Sequence, residues 1–145
     1  MASRVAVGVL LLASLMHVGC SSKRAGGPRL ATTPLKGIVH VDGVPAEMVT
    51  VECHPAPGTS EIKFPVMAST SADGNFAIGM YEKGDGLPEG EYALAFRWVP
   101  FGSARKDKLK GAYADPTKSN YKVTVVNGES NDLGIIELST KGPGK

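Results

Sequence analysis

The sequence predicts an all-β domain, and three observations lead to that fold class. Eighteen glycines and ten prolines among 145 residues interrupt short apolar stretches, as turns interrupt strands. Within those stretches apolar and polar residues alternate with a period of two, which is typical of strands with one buried face. No segment shows the 3.6-residue apolar period of an amphipathic helix. A chain of this length has room for one sizeable domain.

Residues 1–19 have the pattern of a signal peptide. Arg4 precedes the apolar run Val5–Met16, which is too short to span a bilayer stably. Small residues then lead to Cys20, and this arrangement resembles a bacterial lipobox, in which the cysteine after the cleavage point receives lipid. His17 departs from the lipobox pattern, because the position three residues before the cysteine is normally leucine.

We expect Cys20 to be lipidated and residues 20–34 to form a flexible linker. The segment that follows the cysteine, SSKRAGGPRLATTP, has the polar, glycine- and proline-rich composition of a tether. A cysteine with two or three acyl chains, such as palmitate, is a stable anchor, since each buried methylene contributes about 0.8 kcal/mol. These features predict export and attachment to the inner or outer bacterial membrane. The alternative is an ordinary cleaved signal peptide in which Cys20 is not lipidated.

The first two predicted strands each place alternate side chains on a buried face. The inward residues are Leu35, Val39 and Val41 in the first strand, and Val49, Val51 and Cys53 in the second. The Asp42-Gly43 pair predicts a turn, so we expect the two strands to form a hairpin around residues 42–47. In that hairpin His40 would lie opposite Thr50, and His54 opposite Lys36.

Turn sequences divide the rest of the domain into further strands. Asp73-Gly74-Asn75 is a hairpin-turn sequence, and Asn127-Gly128-Glu129 joins the last two strands. About seven short strands over roughly a hundred residues are typical of a sandwich or barrel. The further predicted strands are Val66–Ser71, a return strand beginning at Phe76 and Ile78, Tyr92–Trp98, Tyr121–Val126 and Leu133–Leu138.

Residues 100–119 form the longest irregular stretch of the predicted domain, and loops of that length are usually functional or disordered. Trp98, Phe101 and Tyr113 lie on or beside this loop and are the candidate ligand-binding residues, as aromatic groups that could stack on a sugar or peptide. The alternative is that they cap the core. We interpret the basic run of the loop as a solvated surface; it consists of Arg105, Lys106, Lys108 and Lys110, interrupted by Asp107.

The spacing predicts no catalytic residue, no metal site and no cofactor. His40 and His54 lack a third ligand at short spacing and are interpreted as solvent-facing strand residues. Cys53 adjoins His54 in a strand, so the two side chains diverge, which argues against a nucleophile–base pair and predicts a buried thiol. The aspartates fall in turns, without the spacing of a calcium loop. A net charge of +2 without a basic, aromatic-rich face argues against nucleic acid as a partner.

The order of these signals resembles the carboxypeptidase regulatory-like domain, a transthyretin-like (prealbumin-like) β-sandwich. The matching segments are GIVHVDGVP, VTVECHP, TSADGNFAI, GLPEGEYALAF, KGAYADPTKSNYKVTV and LGIIEL. They span residues 35–139, which leaves residues 140–145 as a flexible tail, and the chain is similar to short bacterial lipoproteins in which this domain follows a lipobox and linker. The resemblance implies seven antiparallel strands in two sheets with Greek-key connectivity. It also implies an aromatic residue where Cys53 stands.

We therefore expect a membrane-anchored lipoprotein whose sandwich is a non-catalytic structural or protein-interaction module at the cell envelope. It would use its sheet edges or the 100–119 loop to contact envelope proteins. The alternative is a carbohydrate-binding module that uses the aromatic residues around that loop. An enzyme would need titratable groups that converge in a pocket, and the spacing does not predict them.

Overall fold

The structure, a computed structural model, describes residues 28–144. The predicted signal peptide, Cys20 and most of the linker therefore lie outside the described residues. Residues 28–144 are all-β apart from one short 3-10 helix, Pro116–Lys118. This part of the chain contains no helix with the length and hydropathy needed to span a bilayer. The strands are β1 (Leu35–Val41), β2 (Val44–Pro45), β3 (Val49–Pro55), β4 (Val66–Ser69), β5 (Asn75–Ala77), β6 (Gly90–Trp98), β7 (Lys122–Val125) and β8 (Asn131–Leu138).

The strands form two four-stranded sheets. In the first sheet β1 is central: β8 pairs with it in parallel along one edge, and β2 and β5 pair with it antiparallel along the other. The second sheet is antiparallel throughout, in the order β4-β3-β6-β7. Two sheets of this kind that bury their inner faces against each other make a β-sandwich.

The core lies between the sheets and confirms the predicted inward faces. Alternate residues of each long strand are buried, and each large apolar side chain contributes about 1.5–3 kcal/mol by leaving water. Strand β8 adds Ile136 and Leu138. The buried apolar side chains on the inner faces of β1, β3 and β6 are Leu35, Val39, Val41, Val49, Val51, Cys53, Tyr92, Leu94 and Phe96.

The predicted hairpin between β1 and β3 is wrong. Asp42 and Gly43 do form a tight turn, with φ values of 52° and 81°, but it returns the chain only into the two-residue strand β2. The chain then crosses to the second sheet, where β3 pairs with β4 and β6. The physical reason is that β1 and β3 each have one apolar face, and these faces cover each other when the strands lie in opposing sheets. His40 and His54 are consequently in different sheets.

The Asp73-Gly74-Asn75 turn is also present without the hairpin. Gly74 N donates to Ser71 O at 2.9 Å, yet β4 before the turn and β5 after it belong to different sheets. Gly74 has a φ of 73°, and a Cβ there would overlap the carbonyl oxygen of Val39. The turn therefore packs directly against β1, and this contact directs the chain across the sandwich.

The described domain has eight strands and one parallel pair, which corrects the implied seven antiparallel strands. The additional strand is β2, too short to have an alternation pattern of its own. The parallel pair arises because β7 and β8 lie in different sheets, so that β8 enters the first sheet by a crossover and runs in the direction of β1.

The long loop is ordered by hydrogen bonds along β6. Strand β7 pairs with β6 only over Gly90–Ala93, and the loop continues this edge. Leu94 N donates to Tyr121 O at 2.8 Å, and Phe96 N donates to Tyr113 O at 2.9 Å. The loop is thus part of the sandwich, and it is fastened into the core by the buried Leu109 and Tyr113.

Candidate functional site

The three candidate aromatic residues have different surroundings. Trp98 is partly buried: its Nε1 donates to Glu47 O at 2.9 Å, and Lys108 Nζ lies 4.7 Å from the centre of its ring. Tyr113 is only 9% exposed, whereas Phe101 is 91% exposed. No ring contact joins these three residues in the described chain. The three side chains therefore lie in separate environments, and their role in ligand binding stays a prediction.

Tyr113 lines a polar depression of about 460 Å³ at one end of the sandwich. Its hydroxyl accepts a hydrogen bond from Ser139 N at 3.0 Å, and the Tyr121 hydroxyl donates to Glu137 O at 2.8 Å. The two tyrosines therefore tie the end of β8 to the second sheet. Other lining residues are Asp42, Asp115, Lys118, Asn120 and Leu138.

The carboxylates at this end hold backbone and hydroxyl groups. Asp42 accepts from Thr140 Oγ1 at 2.7 Å and from Ser139 Oγ at 2.8 Å, and these bonds, that of Thr140 first, lower the pKa of Asp42. Glu137 Oε1 accepts from Gly43 N at 2.6 Å, and its Oε2 lies 3.7 Å from His40 Nδ1. Within residues 28–144 no three His, Cys, Asp or Glu side chains are placed to hold a metal ion.

A polar cluster that sequence analysis missed lies on the outer face of the second sheet. His54 Nε2 is 3.0 Å from Glu52 Oε2, and Arg97 Nε is 3.6 Å from Glu52 Oε1. Glu52 and His54 are two residues apart and share the outer face of β3, which was the available signal. Arg97 joins them only through the pairing of β3 with β6.

Cys53 faces the interior, as predicted. The thiol is fully buried, and burial raises its pKa to about 12. His54 points to the outer face, so these neighbours do not form a nucleophile–base pair. Cys53 is a core residue.

The sheet edges differ in how they are protected. The edge of β6 beyond β7 is covered by the long loop. Strand β8 has a register shift at Gly134, with a φ of 60°, and its Glu137 carbonyl already accepts a hydrogen bond from Tyr121. Strand β4 pairs with β3 on one side, and no other described strand lies on its outer side. β4 is therefore an open edge of the second sheet, and β7 ends the same sheet at its other side.

Main-chain groups of β4 point outward along this open edge. Thr70 N, just past the strand, donates to Val49 O at 3.0 Å. Because alternate residues of an antiparallel strand bond to the same neighbour, the N–H and C=O groups of Met67 and Ser69 point away from β3. Met67 is 56% exposed, and the nearby Phe64 is 54% exposed. The edge thus combines free hydrogen-bonding groups with apolar side chains.

Comparisons with known proteins give no family assignment. No family model matches this sequence, and no curated protein matches it. Among solved structures, the chain is similar to a 9R-lipoxygenase from Cyanothece PCC8801, with 14% identity and a TM-score of 0.41. The match covers 74% of this chain and 16% of the lipoxygenase. A likeness this weak identifies neither a shared fold family nor a shared function.

Proposed function

We propose that this chain is a lipid-anchored bacterial envelope protein whose sandwich is a non-catalytic module for binding other proteins. The sandwich would be of the transthyretin-like, carboxypeptidase regulatory-like type with Greek-key connections, in keeping with the order of its turn sequences and its two-sheet architecture. The observation that carries the binding function is the open edge of β4. The ligand is an extended segment of an envelope protein that adds a strand beside β4.

An added strand suits this edge for physical reasons. The outward N–H and C=O groups of Met67 and Ser69 match the main chain of an extended peptide, and this pairing supplies affinity in strand addition. Exposed side chains of Phe64 and Met67 supply apolar contacts beside it. Carbohydrate binding has less support, because Lys108 covers the Trp98 ring and Tyr113 is mostly buried.

The edge can be tested by removing one donor that the fold does not use. Ser69→Pro deletes the outward N–H of an edge strand, where proline is tolerated, and it should abolish partner capture while the domain stays folded. Ser69→Ala keeps the N–H and should bind normally. A photo-crosslinking residue at position 67 should capture the partner in the native host, and one at Ile135 on the bulged edge should not. Equal capture at both positions, or normal capture by Ser69→Pro, would contradict this proposal.

The anchor is tested separately by metabolic labelling with a fatty-acid analogue in the native host. Cys20→Ser should abolish the label and release the protein from membranes. Cys53→Ala removes the other cysteine of the chain and should keep the label. Labelling that survives Cys20→Ser would show that the anchor assignment is wrong.

A further inference from the structure

We propose that the tip of the long loop, residues 99–106, is a membrane-contact site for the headgroup region of an anionic phospholipid bilayer. The cations at the stem of the loop belong to the same site. This contact is additional to the proposed acyl anchor and to the β4 edge, and it does not require Cys20 to carry lipid. All of its residues lie in the described domain.

The tip projects from a fixed base. Asp107 Oδ1 accepts from Trp98 N and from Leu109 N, each at 2.9 Å, and Lys108 N donates to Trp98 O at 2.8 Å. Leu109 is fully buried, so the base is fastened to the core. These hydrogen bonds join the two ends of the segment, and residues 99–106 project outward from that base.

The tip and stem carry four exposed cations and one acidic residue, so their net charge is positive. Asp107 is the one acidic residue between Glu91 and Asp115. Both of its oxygens accept backbone hydrogen bonds, the second from Gly111 N at 2.9 Å, so its carboxylate is turned into the loop. Four cations of the tip and stem are exposed and have no acidic partner among the described residues: Arg105, Lys106, Lys108 and Lys110.

An apolar side chain stands beside these charges. Phe101 is 91% exposed and Val99 is 38% exposed. A bilayer interface accepts this combination, because the ring enters the acyl boundary while the cations contact lipid phosphates. A soluble polyanion would pair with the cations and leave the Phe101 ring in water. A protein partner would need a broader contact surface than one projecting ring.

The tip and the linker lie at opposite ends of the sandwich. Thr33, at the end of the linker, exchanges backbone hydrogen bonds with Leu87 just before β6, whereas the tip follows the far end of β6 at Trp98. Leu30 N donates to the Tyr81 hydroxyl at 3.0 Å, so this end of the linker is held against the domain and residues 20–29 would reach about 35 Å when extended. The nine residues of β6 rise about 30 Å. The tip can therefore reach the anchoring membrane or a membrane that faces it.

Quenching by lipids with brominated acyl chains tests whether the tip enters the bilayer. The full-length Phe101→Trp chain is mixed with vesicles of brominated phosphatidylcholine, with or without phosphatidylglycerol. The predicted signal peptide contains no tryptophan, and wild type gives the Trp98 background. Phe64→Trp is the matched control, since it also replaces an exposed phenylalanine. We expect strong quenching for Phe101→Trp on anionic vesicles only, and none above background for Phe64→Trp.

Charge substitutions test the cations by equilibrium binding to the same anionic vesicles. Arg105→Gln with Lys106→Gln should weaken the binding of the tip by about twenty-five-fold, at about five-fold for each charge. Lys83→Gln with Lys122→Gln changes the net charge equally at other exposed positions and should have little effect. An unquenched Phe101→Trp chain would overturn the proposal, and it is the result expected if the tip binds protein instead. Equal quenching at positions 101 and 64, or equal weakening of binding by the two pairs of charge substitutions, would overturn it too.

Discussion

Cys53 shows how burial at a single residue determines reactivity. Its thiol pKa is raised to about 12, because the thiolate would have to form inside the core. In the Cys20→Ser chain, where Cys53 is the remaining thiol, we expect labelling by a disulfide reagent at pH 8 to be roughly a thousandfold slower in the folded protein than in denaturant. Comparable rates in both states would contradict the buried placement of this cysteine.

Gly86 is a second residue whose surroundings determine which side chain fits there. It has a φ of 88°, and a Cβ would overlap the carbonyl oxygen of Thr33, which accepts from Leu87 N at 3.0 Å. Gly86→Ala should therefore destabilise the domain by about 3 kcal/mol or more in denaturant unfolding. Gly128 has a similar φ of 83° with nothing near a Cβ, so Gly128→Ala should cost only about 1 kcal/mol. Equal losses would show that backbone strain alone, without overlap, explains both.

At the scale of elements, β8 offers a matched pair of neighbouring residues. Ile136 is 5% exposed and pairs with Val39, whereas Ile135 is 60% exposed. Ile136→Ala should cost about 2–4 kcal/mol through lost burial and a residual cavity, and Ile135→Ala should stay within about 0.5 kcal/mol. Urea unfolding of the two variants measures the difference. A reversed order would mean that β8 packs with its other face inward.

The sequence predicted the faces of the elements better than their partners. Alternation identifies the inward side of β1, β3 and β6 because burial acts on each strand locally. The partner of β1 after the Asp42-Gly43 turn depends on which sheet the chain enters next, and a tight turn is compatible with either route. The same limit applies to the site: Arg97 reaches Glu52 only through the pairing of β3 with β6. Likewise, the position of Lys108 over the Trp98 ring depends on the path of the long loop.

For the whole molecule, closure of the sandwich depends on joining the two ends of the domain. Strand β8 completes the first sheet beside β1, although some ninety residues separate them. Two surface carboxylates reinforce this junction. Asp42 bonds to Ser139 and Thr140 after β8, and Asp132 accepts from Gly134 N at 3.0 Å and lies 3.3 Å from Lys36 Nζ of β1.

The pH dependence of folding should report this junction. The pKa of Asp42 is lowered from its ordinary value of 3.8, chiefly by the hydrogen bond from Thr140. The pKa of Asp132 is lowered from the same value, chiefly by the hydrogen bond from Gly134 N. The unfolded chain therefore binds protons more readily, so the stabilisation is present above about pH 5 and is lost as pH falls towards 2.

Asp42→Asn with Asp132→Asn should flatten the decline of the urea midpoint between pH 5 and 2, leaving the part due to Asp115, whose pKa is also lowered, chiefly by Thr117. Asp73→Asn is the control, because the Asp73 carboxylate accepts no hydrogen bond from the described residues, and it should keep the wild-type slope. An unchanged slope in the double variant would show that the junction does not depend on these carboxylates.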